Sequence, residues 1–189
     1  MSANTGYRIP FNRPTRTGRD LAYIEQALAS GRFSGDGPFT ARCHQILERA
    51  HVAPRVLLTT SCTHALEMAA YLLNIGAGDE VIVPSFTFVS SANAFVVRGA
   101  TPVFADVHPE TLGLDHRQLP ALMTPRTKAI VVVHYAGVGC QMDAIGEVAR
   151  AAGVPIVEDN AHGLFGTFQG RTLGTFGAVL TLSFHETKN

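Results

Sequence analysis

Val154–Pro155–Ile156–Val157 runs straight into Glu158–Asp159–Asn160–Ala161–His162. Four apolar residues followed by two acids read as a short strand buried on both faces that delivers polar side chains at its carboxyl end. Upstream, Ala129–Ile130–Val131–Val132–Val133 also lacks polar alternation, and a helix over about Asp143–Ala152 separates the two runs. Strand, helix and strand of this kind indicate a parallel sheet covered by helices. The rhythm extends outward. Val56–Leu58 reads as a strand before a helix over about Thr63–Leu73. Glu80–Val83, ending at Pro84, precedes a helix reaching Val97. Val103–Val107 precedes a short helix over His116–Met123, and Ala178–Ser183 is the last strand. The expected fold is α/β: three layers, α/β/α, with a mostly parallel sheet.

Nearer the N-terminus, Leu21, Ile24, Ala27 and Leu28 recur at helical spacing up to Gly31, a glycine-rich loop spans Gly31–Gly37, and a second helix is expected over about Thr40–Ala50. Residues 1–16 are polar and proline-punctuated, with Arg8, Arg13 and Arg16, and read as an extended arm ahead of a domain over 17–189. Charged residues make up 16% of the chain, against about 25% in ordinary soluble domains, which excludes a disordered, charge-stretched chain. Lys and Arg balance Asp and Glu at 15 each, so nothing electrostatic draws the chain to nucleic acid or an anionic membrane. No run approaches the roughly 18–20 apolar residues of a membrane span. Cys43, Cys62 and Cys140 are too scattered for a disulfide framework. The expectation is a cytoplasmic protein.

Ligands of such sheets sit at the carboxyl ends of strands, so the residues there are the candidates. No G-x-G-x-x-G or P-loop motif is present, which removes the main support for a nucleotide-binding reading. Ser61, Cys62 and Thr63 open a helix, where free backbone amides can take an anion; ordinary N-capping by Ser61 is the plainer account. Phe86 and Phe88, in Pro84–Ser85–Phe86–Thr87–Phe88, could stack on a planar ligand or belong to the core. Asp159, emerging from a buried strand, needs a partner: a metal, a histidine or a cationic heterocycle. His162 could meet the same ligand or cap a turn. Lys188 is a candidate Schiff-base amine or a solvated lysine. Taken together, an anion-binding helix start, an aromatic, a buried Asp and a Lys match the phosphate, ring face, ring nitrogen and aldehyde of pyridoxal 5'-phosphate.

These residues fall in a familiar order. Ile9–Pro10–Phe11–Asn12, Gly31–Gly37, Ser61–Cys62–Thr63, Pro84–Phe88, Val133–His134–Tyr135–Ala136–Gly137, Glu158–Asp159 and Ser183–Phe184–His185–Glu186–Thr187–Lys188–Asn189 resemble the DegT/DnrJ/EryC1/StrS sugar-nucleotide aminotransferases, which have the aspartate aminotransferase fold. The Phe-His-Glu-Thr-Lys-Asn and His-Tyr-Ala-Gly runs resemble most the dTDP-4-amino-4,6-dideoxygalactose transaminases of cell-surface polysaccharide synthesis, such as that of enterobacterial common antigen or lipopolysaccharide. The resemblance implies amino transfer, from glutamate, to a 4-keto-6-deoxy sugar nucleotide of the dTDP-4-dehydro-6-deoxyglucose type. It also implies that Lys188 binds the cofactor aldehyde and shuttles the proton, that Asp159 pairs with the pyridine nitrogen, and that Phe88 stacks on the ring. Cys62, Thr63 and Ser183 would hold the phosphate beside Ser61, and His162 would stand near the ring oxygen. His134 and Tyr135 read as structural.

The resemblance further implies a homodimer with sites at the interface. Members of the family continue for about as much chain again after the lysine, so the chain is expected to be a truncated product lacking the small C-terminal domain. The other readings are a non-catalytic fragment of such an enzyme and a metal-dependent hydrolase using Asp159, His162, His134 and His185, although no H-E-x-x-H spacing is present.

Overall fold

A computed structural model describes residue 9 and residues 12–188. Most of the expected arm, Pro10–Phe11 of the first motif and Asn189 of the last lie outside the described residues. The helices are α1 (Asp20–Ala29), α2 (Pro38–His51), α3 (Cys62–Leu72), α4 (Ser90–Val96), α5 (Leu119–Leu122) and α6 (Met142–Ala152). The strands are β1 (Glu80–Pro84), β2 (Thr101–Ala105), β3 (Thr127–Val133), β4 (Ile156–Asp159), β5 (Thr167–Phe168), β6 (Arg171–Thr172) and β7 (Val179–Thr181).

Five strands form one sheet in the order β2-β1-β3-β4-β7, and every pairing in it is parallel. Because strand side chains alternate between faces, Val81, Val83, Val131, Val133 and Val157 pack with Leu66, Ala69 and Phe95 of α3 and α4. Ile82, Ile130, Val132 and Ile156 pack with Leu119, Met142 and Ile145 of α5 and α6. The three expected layers are present. On β4 the same alternation sends Asp159 toward α3 and α4, with Val157, and Glu158 to the opposite side, with Ile156.

Several elements differ from expectation. Val56–Leu58 is irregular and has no strand partner among the described residues; Leu57 is 57% and Leu58 42% exposed. Strand β2 begins at Thr101 and contains Pro102, which the sheet tolerates because β2 is an edge strand with one side free of ladder bonds. Strand β4 runs two residues further than read, so Asp159 belongs to the strand itself and pairs in register with Val133 and Thr181. The helical periodicity of α1 is real, yet its apolar side chains Leu21, Ile24 and Leu28 are more than half exposed. The β5–β6 hairpin is an addition; Gln169 and Gly170 at its tip both have positive φ, as a tight two-residue hairpin turn requires.

Candidate active site

The strand order reverses between β1 and β3, the place where such sheets open a crevice at their carboxyl ends. The loops leaving β1, β3, β4 and β7 each contribute one side chain there, and each contribution meets the next. The Phe86 ring lies 4.8 Å from Tyr135, and Tyr135 meets His162 edge-on at 5.3 Å. His162 Nε2 then lies 2.8 Å from Lys188 Nζ. The backbone amide of Ala136 donates to His162 Nδ1 at 3.1 Å, so Nδ1 of the neutral ring serves as an acceptor. Burial, followed by the charge of Lys188, lowers the His162 pKa and favours that neutral ring, against the smaller pull of Asp159. Tyr135, expected to be structural, thus belongs to the wall of the site.

Two contacts anchor the segment that presents Lys188. Its amide donates to the His185 carbonyl at 2.9 Å, and Asn12 Nδ2 donates to the Glu186 carbonyl at 3.2 Å. The N-terminal segment therefore reaches the turn that precedes the lysine.

Asp159 lies deeper and is almost fully buried. Its Oδ2 accepts from Ser91 Oγ at 2.7 Å, and its Oδ1 from the Ala161 amide at 3.2 Å. Burial raises its pKa; the donors and the nearby His162 and Lys188 oppose this without reversing it. An ionised carboxylate offers about four acceptor positions, so two accepted bonds leave capacity for a cation.

The N-terminus of α3 is open. Ser61 caps it by accepting from the His64 amide at 3.1 Å, while the Cys62 and Thr63 amides take no acceptor among the described residues. Capping and anion binding are thus compatible. Burial, then the charge of Asp159, pushes the Cys62 thiol up to about 11, with Thr181 and Lys188 working the other way. Cys62, Asp159 and Lys188 therefore share one electrostatic neighbourhood. Phe88 is 71% exposed and Phe86 44%, so neither aromatic is core. Phe88, Thr63 and Ser183 make no hydrogen bond or ring contact to Lys188 or Asp159; the half-buried Ser183 accepts from the His185 amide at 3.4 Å.

On the opposite face of β4, Glu158 is fully buried. It accepts from His134 Nε2 at 2.9 Å and from the amides of Gly174, Phe176 and Gly177 at 2.8, 2.7 and 2.6 Å. The Cys140 amide donates to His134 Nδ1 at 3.3 Å, which sets the tautomer that serves Glu158. Burial pushes the Glu158 pKa up, but the contacts from His134, Gly177 and Gly174 outweigh it and the pKa is lowered. Gly177 permits this approach: a Cβ there would lie 2.6 Å from the Ile156 carbonyl oxygen. His134 is structural, as expected, and this placement undoes the four-residue hydrolase set, because His134 is sealed away from Asp159 and His162 while His185 is exposed. Among the described residues no group of three or more His, Cys, Asp or Glu could hold a metal ion, and no helix is long and apolar enough to cross a membrane.

Sequence reasoning missed Glu158, Ser91 and Thr87. The available signals were an acid adjacent to Asp159 inside an apolar strand and a Ser-Ser pair opening a mostly apolar helix.

The chain is similar to known proteins of one family. The model of the DegT/DnrJ/EryC1/StrS aminotransferase family matches residues 14–189. The spore coat polysaccharide biosynthesis protein SpsC of Bacillus subtilis (strain 168) is 39% identical over 189 residues, 100% of this chain and 48% of its own length. Among solved structures, Spr1654 of Streptococcus pneumoniae in its PMP form superposes with a TM-score of 0.87 at 32% identity, over 96% of this chain and 49% of its own. The same protein is also solved in a PLP form. DesI, solved in the presence of its TDP-sugar product, gives a TM-score of 0.85 at 36% identity, over 94% of this chain and 44% of its own. The chain spans about half the length of these relatives.

Proposed function

The chain belongs to the DegT/DnrJ/EryC1/StrS aminotransferase family, and from that premise we propose that it forms the cofactor-binding part of an enzyme that moves an amino group from glutamate to a 4-keto-6-deoxy sugar nucleotide. The family is pyridoxal phosphate-dependent, and the groups in the site suit that cofactor: free amides at the start of α3, a buried carboxylate with spare acceptor capacity, exposed aromatics and a lysine at one carboxyl edge. The cofactor supplies an electron sink and a carbon that carries the amino group in transit.

The residues act around it. The Cys62 and Thr63 amides and the Ser183 hydroxyl receive the phosphate at the positive end of α3, beside the Ser61 cap. Phe88 covers one ring face. Asp159 faces the ring nitrogen and keeps it protonated, since a buried carboxylate is best satisfied by a fixed cation. Lys188 Nζ takes and returns the proton at the reacting carbon, with His162 Nε2 2.8 Å away. The Phe86–Tyr135 wall restricts water near that carbon.

The observation that carries this reading is the convergence of Lys188, His162, Asp159 and the open start of α3 at one carboxyl edge. A dTDP-4-dehydro-6-deoxyglucose-type acceptor, used in cell-surface polysaccharide synthesis, is supported by the sequence runs described above, by the likeness to SpsC and by the TDP-sugar in the DesI structure. We assign the enzyme to the cytoplasm and to a homodimer with sites at its interface. The test uses the complete polypeptide that carries this sequence, incubated with pyridoxal phosphate, glutamate and the keto-sugar nucleotide. The expected result is amino-sugar nucleotide formation, with cofactor absorbance and turnover both lost in Lys188→Ala. Cofactor binding without amino transfer to any keto-sugar nucleotide would refute the assigned reaction.

A further inference from the structure

We propose that Thr87 and Ser91 are positioning residues of this site: their hydroxyls form a directed relay, Thr87 Oγ1 to Ser91 Oγ to Asp159 Oδ2, that aims the Asp159 carboxylate at the cofactor ring nitrogen and ties the loop carrying Phe88 to it. The proposal rests on the reading of Asp159 given above and adds the residues that hold it.

The direction of the relay follows from its chemistry. Ser91 Oγ lies 2.7 Å from Asp159 Oδ2 and 2.7 Å from Thr87 Oγ1. An ionised carboxylate only accepts and a serine has one hydroxyl proton, so Ser91 donates to Asp159 and Thr87 donates to Ser91. Bonds of this kind to an anion are short and about twice as strong as neutral ones, and a chain of them reinforces itself in a low-dielectric interior. Ser91 is fully buried, on a helix whose Ala92, Ala94 and Phe95 are core residues, so its hydroxyl is fixed in place. A helical serine ordinarily turns back on a carbonyl of its own helix; this one reaches across 68 residues of sequence to the strand carboxylate. Thr87 sits between Phe86, which touches Tyr135, and Phe88, so one hydroxyl joins the aromatic loop to the ring-nitrogen partner.

The relay acts on where one proton resides. Ser91's hydrogen bond favours the ionised carboxylate and leaves the proton on the ring nitrogen. Without it, Asp159 is a stronger base in a buried setting that already disfavours its charge; the ring N–H bond breaks, a carboxyl O–H bond forms, and both partners become neutral.

The test is 15N NMR of the complete polypeptide loaded with pyridoxal phosphate labelled at the ring nitrogen, a readout that a merely structural role would not move. The wild type is expected at the pyridinium position and Asp159→Asn at the pyridine position. Ser91→Ala and Thr87→Val are expected to move part of the way toward pyridine, Ser91→Ala further, while Ser91→Thr retains the wild-type shift. Circular dichroism checks the fold; should Ser91→Ala misfold, the near-isosteric Thr87→Val decides. Wild-type shifts in the hydroxyl variants, alongside a displaced Asp159→Asn, would overturn the relay and leave the function standing. A wild type that binds no cofactor, or an Asp159→Asn that keeps the pyridinium, would overturn the reading of Asp159 and the relay with it.

Discussion

Glu158 and Asp159 are adjacent on β4 and equally removed from water, yet their surroundings are electrostatically opposite. Glu158 receives four hydrogen bonds, three from the backbone of residues 174–177 and one from His134, and these overcome burial and lower its pKa. Asp159 receives two, and burial prevails. Period-two alternation alone separates them, placing one toward α6 and the other toward α3 and α4. A buried carboxylate whose acceptor positions are filled is framework. One left short of donors, at the carboxyl edge beside a lysine, is prepared for a cation from outside the chain.

The largest effect should come from emptying the filled pocket. Glu158→Ala leaves His134 and three amides facing a void, and breaking a buried pair in this way costs about 3–5 kcal/mol. Urea unfolding should show the loss, and a cost below about 1 kcal/mol would mean that Glu158 is not the clamp described here. Gly177→Ala tests the same pocket from the loop side. The new Cβ would lie 2.6 Å from the Ile156 carbonyl oxygen, so the loop must withdraw its amides from Glu158. A cost of about 1–3 kcal/mol is expected, as for overpacked sites.

The opposite sign is expected across the strand. Asp159→Asn removes a charge that burial disfavours and keeps the volume, so the apo protein at neutral pH should gain about 0.5–2 kcal/mol, the range common for relieving an unfavourable site. The same variant should lose the pyridinium form of the bound cofactor. A destabilised apo Asp159→Asn would erase the distinction between the two pockets.

The sheet was legible because its strands are continuous apolar runs. Ala129–Val133 and Glu80–Val83 needed no tertiary information to be read as buried parallel strands. Val56–Leu58 carries the same signature but lacks a partner strand among the described residues, which an apolar run cannot reveal about itself. The helical spacing of α1 was legible for its conformation and silent about what covers its apolar side. At the site, Lys188, Asp159 and the start of α3 stood out because their chemistry is conspicuous at strand ends. Glu158 did not, because its role depends on three backbone amides from a loop whose path the sequence does not encode locally. Ser91 and Thr87 were equally hidden, since a serine in a helix has several ordinary explanations and its partner is 68 residues away.

The smallest effect is the pH dependence of the two stability differences, and it separates the pockets without removing either. Folding raises the Asp159 pKa, so its cost is fully present above the folded value. That cost shrinks as pH falls through the folded value and vanishes near the unfolded value of about 3.9. The advantage of Asp159→Asn should therefore be greatest at neutral pH and decline on acidification. Folding lowers the Glu158 pKa, so its contribution is fully present above the unfolded value of about 4.3 and is lost only as pH falls through the lower, folded one. Against burial, the contacts of His134, Glu158 among them, hold its pKa up to about 9, a contribution fully present only below the unfolded histidine value of about 6.5. The deficit of Glu158→Gln should therefore widen as pH falls from neutral through that value, stay level to about 4.3 and narrow only below it. Urea midpoints for the wild type and both variants between neutral and acid pH would resolve the two curves. Parallel curves would show that the adjacent carboxylates share one environment.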